Sequence, residues 1–351
     1  MKQRNINLDV IRCVALIYIL CVHFFLNTNF YYSGPISGIH MQLGVILRNC
    51  FAACVPLFLM LTGYLMNKKT LSAKYYGGLS KVLILYGLSC IPIWLFRTVY
   101  SGETFSLYRM FTSFVSYELD AWYIGLYICS YLMIPFLNIM YHQLETKKKK
   151  VLLLAILIVL TAGPSLLNKF GVALIPPYFE SFYPLTYYFM GAFLSEYAED
   201  FKLPTIAVFV LYILVLLAGG CFVNIWVADK FYYDVNLFVD WGNLLNTCSS
   251  PLLFLALLKC DFSKLPKPVC KIIETISLVS LQLYIVSWIF DTLVYEGFNA
   301  KYAVFAEKLV RLPLPIIQVF FYSLIVALII QFIYDGIKNL TKENENAAKK
   351  F

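Results

Sequence analysis

The first apolar segment, residues 8–27, carries three ionisable side chains where a plain membrane anchor carries none. They are Asp9, Arg12 and His23. At about 100° per residue, the step from Arg12 to His23 brings the helix back to within about 20° of its starting direction, so the two side chains share one face. Asp9 lies one turn before Arg12 on the same stripe, close enough to pair with it. The segment is therefore predicted to be a helix with one polar face.

The positions of these residues along the helix differ in depth. A rise of about 1.5 Å per residue separates Arg12 from His23 by about 16 Å, which is about half of the hydrocarbon thickness. Arg12 is also compatible with a snorkelling residue near a membrane surface, and Asp9 with its neutralising partner. His23 lies near the midplane, where an ionisable group costs about 2 kcal/mol or more and tends to face a bundle interior or a wet cavity.

The whole composition favours a polytopic membrane protein. Hydrophobic residues make up 61% of the 351 residues and charged residues only 14%, which excludes an ordinary soluble domain. The net charge of +8 comes from short Lys and Arg clusters between apolar runs, so we interpret it as a topology signal and expect no nucleic-acid partner. The first segment lacks a small-residue cleavage site, and no cleavable signal is expected.

The apolar runs predict an all-α fold of about ten transmembrane helices. These runs are residues 8–27, 43–66, 80–96, 121–140, 151–167, 182–197, 204–223, 237–258, 272–295 and 313–337. Residues 97–120 have too many polar side chains to cross and are expected to lie on the membrane surface. We assign residues 1–340 to one transmembrane domain and residues 341–351 to a charged cytoplasmic tail that is frayed.

Basic residues predict the orientation of these helices. The run Lys147 to Lys150 marks a cytoplasmic connection, and the connecting segments hold about 18 Lys and Arg on the side of the termini against about 7 on the other. Both termini are therefore predicted to be cytoplasmic. The ten cysteines and three histidines show no metal-ligand spacing, so we expect neither a metal site nor a bound cofactor.

Several short motifs are spread over most of the chain. They are Arg12 and His23 with ten residues between them, Arg48 before Val55-Pro56-Leu57-Phe58 and Thr62-Gly63-Tyr64, Trp122-Tyr123 with Tyr131 and Pro135, Tyr188-Phe189-Met190-Gly191, and Ser280 with Tyr284. In order and spacing these motifs resemble those of the acyltransferase-3 family of integral membrane proteins, and together they make the resemblance more specific than any one motif.

The resemblance implies an O-acyltransferase of a bacterial plasma membrane. The donor would be an acyl-CoA, most often acetyl-CoA from the cytoplasm, and the acceptor a sugar hydroxyl of a surface polysaccharide or its lipid-linked precursor. Two positions depart from the family pattern. Thr62 stands where serine is usual, and Ser287 stands where the last motif often has histidine, so any role of that second histidine is absent or taken elsewhere.

The chemistry of acyl transfer suits the same residues. The reaction needs a base for the acceptor hydroxyl, oxyanion stabilisation and a grip on the donor. We expect His23 to be the base, Arg12 to bind a phosphate of CoA and Asp9 to orient Arg12. Arg48 is a candidate for acceptor binding or oxyanion stabilisation. The candidate substrate-binding aromatic residues, which could equally be interfacial anchors, are Tyr64, Trp122, Tyr123 and Tyr284.

Other interpretations of the pattern stay open. The charged stripe is also compatible with a transporter or flippase for a lipid-linked sugar or small polar solute, and a non-catalytic membrane sensor is a third possibility. No serine or cysteine stands out as a nucleophile, which favours direct transfer. Four further acids near apolar runs are expected to be helix-end residues facing water at least as readily as functional ones: Glu196, Asp240, Glu274 and Asp291.

Overall fold

The computed structural model describes residues 4–32, 36–104, 106–116, 121–168, 172–226 and 241–348, and in these ranges the chain is helical without strands. The helices are α1 (Ile6–Asn27), α2 (Gly38–Phe51), α3 (Cys54–Met66), α4 (Ala73–Gly77), α5 (Leu79–Tyr100), α6 (Leu107–Ser116), α7 (Trp122–His142), α8 (Lys147–Ala162), α9 (Pro164–Leu167), α10 (Tyr183–Tyr197), α11 (Thr205–Trp226), α12 (Leu244–Lys259), α13 (Lys267–Leu278), α14 (Ser280–Lys301), α15 (Phe305–Val310) and α16 (Pro313–Ala348).

Within those ranges, 7 segments are long and apolar enough to cross a membrane: Ile6–Tyr32, Gly38–Met66, Ala73–Tyr100, Trp122–His142, Lys147–Leu167, Thr205–Phe222 and Pro313–Leu340. The pair α13 and α14 qualifies as one more span, although it is bent by 71°. The shorter helices α10 and α12 lie in the interior. The all-α multipass fold is thus confirmed, whereas the number ten and the cytoplasmic termini stay predictions.

Helix α1 lies at the centre of the bundle. It contacts α2, α3, α12, α13, α14 and α16, and its apolar residues Ile11, Ala15 and Leu16 are fully buried. Because α1 is surrounded in this way, its polar residues must find partners on neighbouring helices and not in lipid or water. The central placement of the first segment therefore sets the position of the candidate site.

The second predicted span, residues 43–66, is longer and broken. It begins at Gly38 and divides into α2 and α3 at Ala52 and Ala53. The cause lies at Pro56, which has no N–H to donate to the carbonyl of Ala52 four residues earlier. The break comes one turn after Arg48, so this guanidinium projects from the last turn of α2.

The predicted span at residues 272–295 also differs from the structure. Helix α13 carries Lys267, Lys271 and Glu274, and this polar character keeps it out of line with the apolar α14. The Ser280 hydroxyl donates to the Ser277 carbonyl at 3.0 Å, which provides a partner for one carbonyl at the bend. The spanning part is therefore α14, which extends to Lys301.

Two segments differ in part from the sequence expectation. Residues 97–120 do not all lie on the surface, because α5 extends to Tyr100 and α6 packs back along it. The Phe114 ring stacks on the Tyr86 ring with centroids 4.7 Å apart. Tyr86 lies about 16 Å along α5 from Arg97, so Phe114 packs well below the end of that helix. The predicted frayed tail is also helical in part, since α16 continues past residue 340 to Ala348.

The closest helix crossing joins α3 to α10 through two glycines. A Cβ atom at Gly63 would lie 1.9 Å from the Tyr188 carbonyl oxygen, and one at Gly191 would lie 2.0 Å from the Met60 carbonyl oxygen. Only residues without a side chain allow the backbones to approach this closely. Both glycines belong to the motifs noted above, TGY and YFMG, so these motifs have a packing role.

We predict that Gly191→Ala lowers the thermal stability of the purified protein, because the added methyl group overlaps backbone atoms of α3. Overpacking of this kind costs about 1–3 kcal/mol or more. The matched control is Gly297→Ala on α14, where nothing lies within 4 Å of the added atom. Replacing a glycine inside a helix by alanine raises the free energy of unfolding by about 0.5–1 kcal/mol. Thermal melts in detergent compare the two variants, and equal melting temperatures for both would contradict the tight crossing.

Candidate active site

Two polar stripes face each other across α1 and α14. On α1 the stripe contains Arg12 and His23, and on α14 steps of three and four residues put Ser280, Tyr284 and Asp291 on one face. Arg12 meets the α13–α14 bend through Ser277, and His23 meets Asp291 farther along α14. The two helices therefore run parallel, and their polar residues meet at two levels.

The first level is a charged cluster around Asp9, which is 4% exposed. Arg4 holds this carboxylate with both nitrogens, Nε to Oδ2 at 2.6 Å and Nη2 to Oδ1 at 2.8 Å. Ser277 Oγ donates to Asp9 Oδ1 at 2.5 Å and accepts from Arg12 Nη1 at 2.8 Å. Arg12 itself is 3.7 Å from Asp9.

The structure adds a partner to the expected pairing of Asp9 with Arg12. The main partner of Asp9 is Arg4, which precedes the helix and which sequence reasoning overlooked, and Asp9 orients Arg12 mainly through Ser277. The hydrogen bond with Asp9 raises the pKa of the Arg4 guanidinium. The Asp9 carboxylate already accepts hydrogen bonds from Arg4 and Ser277. The guanidinium of Arg12 can therefore direct N–H groups at another acceptor, such as a ligand.

A cavity of about 570 Å³ opens beside this cluster. We call it the basic cavity. Its lining includes Arg4, Arg12 and Lys81, and Asp9 is the only acid in it among the residues that the structure describes. Positive charge therefore exceeds negative charge, which suits an anionic ligand.

A second cavity, of about 220 Å³, continues from the first toward the middle of α1. We call it the inner cavity. It shares Arg12 and Ser280 with the basic cavity. Its other polar groups come from Thr62, Tyr123, Tyr127 and Tyr284. Thr62, the replacement for the usual serine, bonds its hydroxyl to the Phe58 carbonyl at 2.9 Å within its own helix.

The second level of contact is the pair formed by His23 and Asp291. The imidazole Nδ1 lies 2.7 Å from Asp291 Oδ2, and the carboxylate is 5% exposed. His23 lies one turn beyond Ile19, which lines the inner cavity, and its side chain is 21% exposed. The imidazole therefore lies one helical turn beyond that cavity and is not part of its lining.

The contact with Asp291 favours one tautomer of a neutral imidazole. Because an ionised carboxylate only accepts, a neutral His23 beside it would donate from Nδ1 and keep its lone pair on Nε2. The other oxygen, Asp291 Oδ1, is buried without a hydrogen-bond partner among the described residues, which leaves the carboxylate directed at one partner. An acid placed in this way can orient an imidazole as the acid of a catalytic triad does.

Sequence reasoning left Asp291 open between a helix-end residue facing water and a functional residue, and its burial against His23 excludes the first. The signal that could have found it is its position on α14, two turns after Tyr284 and hence on the same face. Glu196 forms a separate ion pair with the buried Lys150, at 2.6 Å. Asp240 lies outside the described residues.

Arg48 lies apart from the α1 stripe. It is 3% exposed, its Nε donates to the Tyr31 hydroxyl at 3.0 Å, and its guanidinium carbon lies 5.7 Å from the Trp241 ring centroid. It is not in the lining of the inner cavity. A buried guanidinium on an aromatic face is a stable arrangement, and it connects Arg48 to the region around Trp241.

The four candidate aromatic residues separate in the structure. Tyr123 and Tyr284 line the inner cavity and meet edge to face at 6.4 Å. Trp122 stacks on Trp241 at 6.0 Å. Tyr64 packs against Phe254 of α12 at 5.8 Å and is not in the lining of the inner cavity. The reason is that Tyr64, two residues after Thr62 on α3, points away from it.

Ser287, at the position where the resemblance often has histidine, is fully buried. Its hydroxyl donates to the Tyr284 carbonyl at 2.8 Å, a bond within α14. Its side chain thus satisfies its own helix, and the partner of His23 on α14 is Asp291, one turn later. Among the described residues, no group of three or more His, Cys, Asp or Glu could hold a metal ion.

One of three comparisons with known proteins found a match. Searches of curated proteins and of solved structures found no match. Residues 5–334 match the family model described as an acyltransferase domain, and the matched range includes both levels of the α1–α14 contact as well as Arg48 and the aromatic residues. The chain therefore belongs to the acyltransferase-3 family and is a multipass membrane acyltransferase.

Proposed function

We propose that this membrane acyltransferase moves an acetyl group from acetyl-CoA to a sugar hydroxyl of a cell-surface polysaccharide or its lipid-linked precursor. The observation that carries the proposal is the His23–Asp291 pair, held on the same face of α1 as Arg12. The imidazole of His23 and the guanidinium of Arg12 lie about 16 Å apart along α1. This separation suits a donor whose charged phosphates lie far from its reactive thioester.

The chemistry follows from the tautomer of His23. Nε2 takes the proton from the acceptor hydroxyl as its oxygen attacks the thioester carbonyl, and the carbonyl becomes a tetrahedral oxyanion. Collapse of this intermediate breaks the carbon–sulfur bond, and the imidazolium returns its proton to the leaving thiolate. Asp291 stabilises the imidazolium throughout. The transfer is direct, with no covalent acyl-enzyme.

The basic cavity is proposed to bind the donor phosphates. Arg12 lies 28% exposed at its boundary with the inner cavity. Guanidinium groups bind phosphates through charge-assisted hydrogen bonds, and Arg4 and Lys81 add positive charge. The separation of about 16 Å between Arg12 and His23 along α1 is about the reach of an extended pantetheine arm, as expected for the acyl-CoA partner.

The proposed location is a bacterial plasma membrane, with the donor end of α1 in the cytoplasm. Contacts connect that end to the lysine run. Asn7 donates to the Cys260 carbonyl at 2.5 Å, Lys259 to the Phe201 carbonyl at 2.6 Å, and Lys147 to Asp200 at 2.5 Å. The α1 N-terminus and Lys147 to Lys150 therefore lie at one end of the bundle, and positive charge favours the cytoplasmic side.

We expect His23→Ala to abolish thiol release from acetyl-CoA in the presence of a panel of cell-envelope glycans, because the base is lost. Asp291→Asn should lower kcat by about 10²–10⁴-fold with little change in KM, because the amide favours the wrong tautomer. The assay compares purified proteins at equal folded amounts.

Matched controls are His40→Ala on an exposed turn of α2 and Asp261→Asn in an exposed loop, both expected to retain turnover. Turnover that survives His23→Ala would exclude this base. If the wild type consumes no acyl-CoA but moves lipid-linked sugars between leaflets, the protein is a transporter and the proposal fails.

For Arg12→Ala we predict a KM for acetyl-CoA that rises by about tenfold or more, since a charge-assisted contact contributes about 1.5–3 kcal/mol. The same variant should use S-acetylpantetheine, which has no phosphates, as well as the wild type does. Kinetics with both donors test this, with Arg109→Ala on an exposed face of α6 as the control. An equal loss with both donors would place Arg12 at the reacting centre and not at the phosphates.

A further inference from the structure

A third cavity, of about 230 Å³, lies among α8, α10 and α12. We call it the far cavity. It opens near the ends of α8 and α10 that are opposite to the Lys150–Glu196 pair, and hence at the other end of the bundle from the basic cavity. Its lining consists of Thr161, Ser165, Pro177, Glu180, Ser181, Tyr183, Trp241, Gly242 and Asn243.

Internal hydrogen bonds hold the wall of the far cavity. Ser165 Oγ accepts from the Leu244 N–H at 3.1 Å and donates to the Ala162 carbonyl at 2.6 Å. The Asn243 side chain accepts from the Asn246 N–H at 2.8 Å and caps α12. At Gly242 a Cβ atom would lie 2.7 Å from the Tyr183 Cβ. The cavity is therefore formed before any ligand binds.

The chemistry of the remaining lining fits a sugar. Tyr183 and Trp241 supply half-buried rings, and Glu180 and Ser181 supply a carboxylate and a hydroxyl. Sugars present apolar C–H faces that pack on aromatic rings, and hydroxyls that donate to carboxylate oxygens. Among the described residues the lining contains no Lys or Arg, which favours a neutral ligand over a phosphate or another anion.

Aromatic contacts connect the far cavity to the inner cavity. Trp241 stacks on Trp122 with ring centroids 6.0 Å apart and planes at 18°. Trp122 meets Tyr123 at 6.0 Å, and Tyr123 meets Tyr284 at 6.4 Å. The last two rings line the inner cavity. A continuous series of rings therefore runs from the far cavity to the proposed reaction centre.

We infer that the far cavity is a carbohydrate subsite that binds one sugar residue of the acceptor, through contacts with the Tyr183 and Trp241 rings and hydrogen bonds to Glu180. This inference rests on the proposed function for the identity of the sugar as acceptor. The subsite lies at the opposite end from the donor, so donor and acceptor approach the inner cavity from opposite ends. The aromatic series holds the neighbouring part of the glycan.

The test is direct binding of sugars by the full-length protein in nanodiscs, without any acyl donor. Saturation-transfer NMR measures affinities for a panel of methyl glycosides of hexoses and N-acetylhexosamines. We expect binding by the wild type and an affinity at least about tenfold weaker in Glu180→Gln and Trp241→Leu, because a charge-assisted hydrogen bond or a stacking face is lost.

Controls of the same type lie elsewhere on the protein. They are Glu307→Gln, on the exposed face of α15, and Trp288→Leu, whose ring packs on Phe96. Binding that is equal in the two subsite variants and the wild type would overturn the inference, as would a wild type that binds none of the glycosides.

The kinetic arm separates this inference from the proposed function. In Glu180→Gln the KM for the glycan acceptor should rise about tenfold while the KM for acetyl-CoA stays unchanged. Sugar binding that depends on Glu180 in a protein without acyl transfer would support the subsite and refute the proposed function. Acyl transfer with an unchanged acceptor KM in Glu180→Gln would refute the subsite alone.

Discussion

The neutralisation of charge inside an apolar bundle is the constraint on which the rest of the structure depends. Helix α1 carries an acid, a guanidinium and an imidazole, and each would be costly in lipid without a partner. The α13–α14 unit supplies these partners through Ser277 and Asp291. Because the two contacts lie at different levels, they fix both the depth and the rotation of α14 against α1. The 71° bend then lets α13 leave the membrane interior with its own charges.

Close helix packing and short helices shape the interior of the bundle outside the α1–α14 contact. The glycines of α3 and α10 bring these helices into backbone contact, and the two short helices α10 and α12 occupy the interior without extending across the full thickness. The break before Pro56 turns Arg48 toward Tyr31 and Trp241. Motifs that resemble catalytic signatures in sequence thus divide between packing and chemistry, and Gly63, Tyr64 and Gly191 belong to packing.

Charge and aromatic character are distributed along the bundle in a way that suits two different substrates. The basic cavity at one end attracts anions, tyrosines line the inner cavity, and one carboxylate, neutral polar groups and aromatic rings line the far cavity. In the proposed reaction, a charged donor and a neutral glycan would not compete for one opening. Each would contribute binding energy away from the reacting atoms, where it can position them.

Local patterns in the sequence determined the all-α membrane class and the shared face of Arg12 and His23. Helical periodicity and apolar run length suffice for these, because they act within single helices. Only the tertiary structure decided that Arg4 and not Arg12 is the main partner of Asp9, that Asp291 orients His23, and that Tyr64 faces α12. These contacts join residues up to 268 positions apart, and no periodicity within one helix shows which face of another helix will lie opposite.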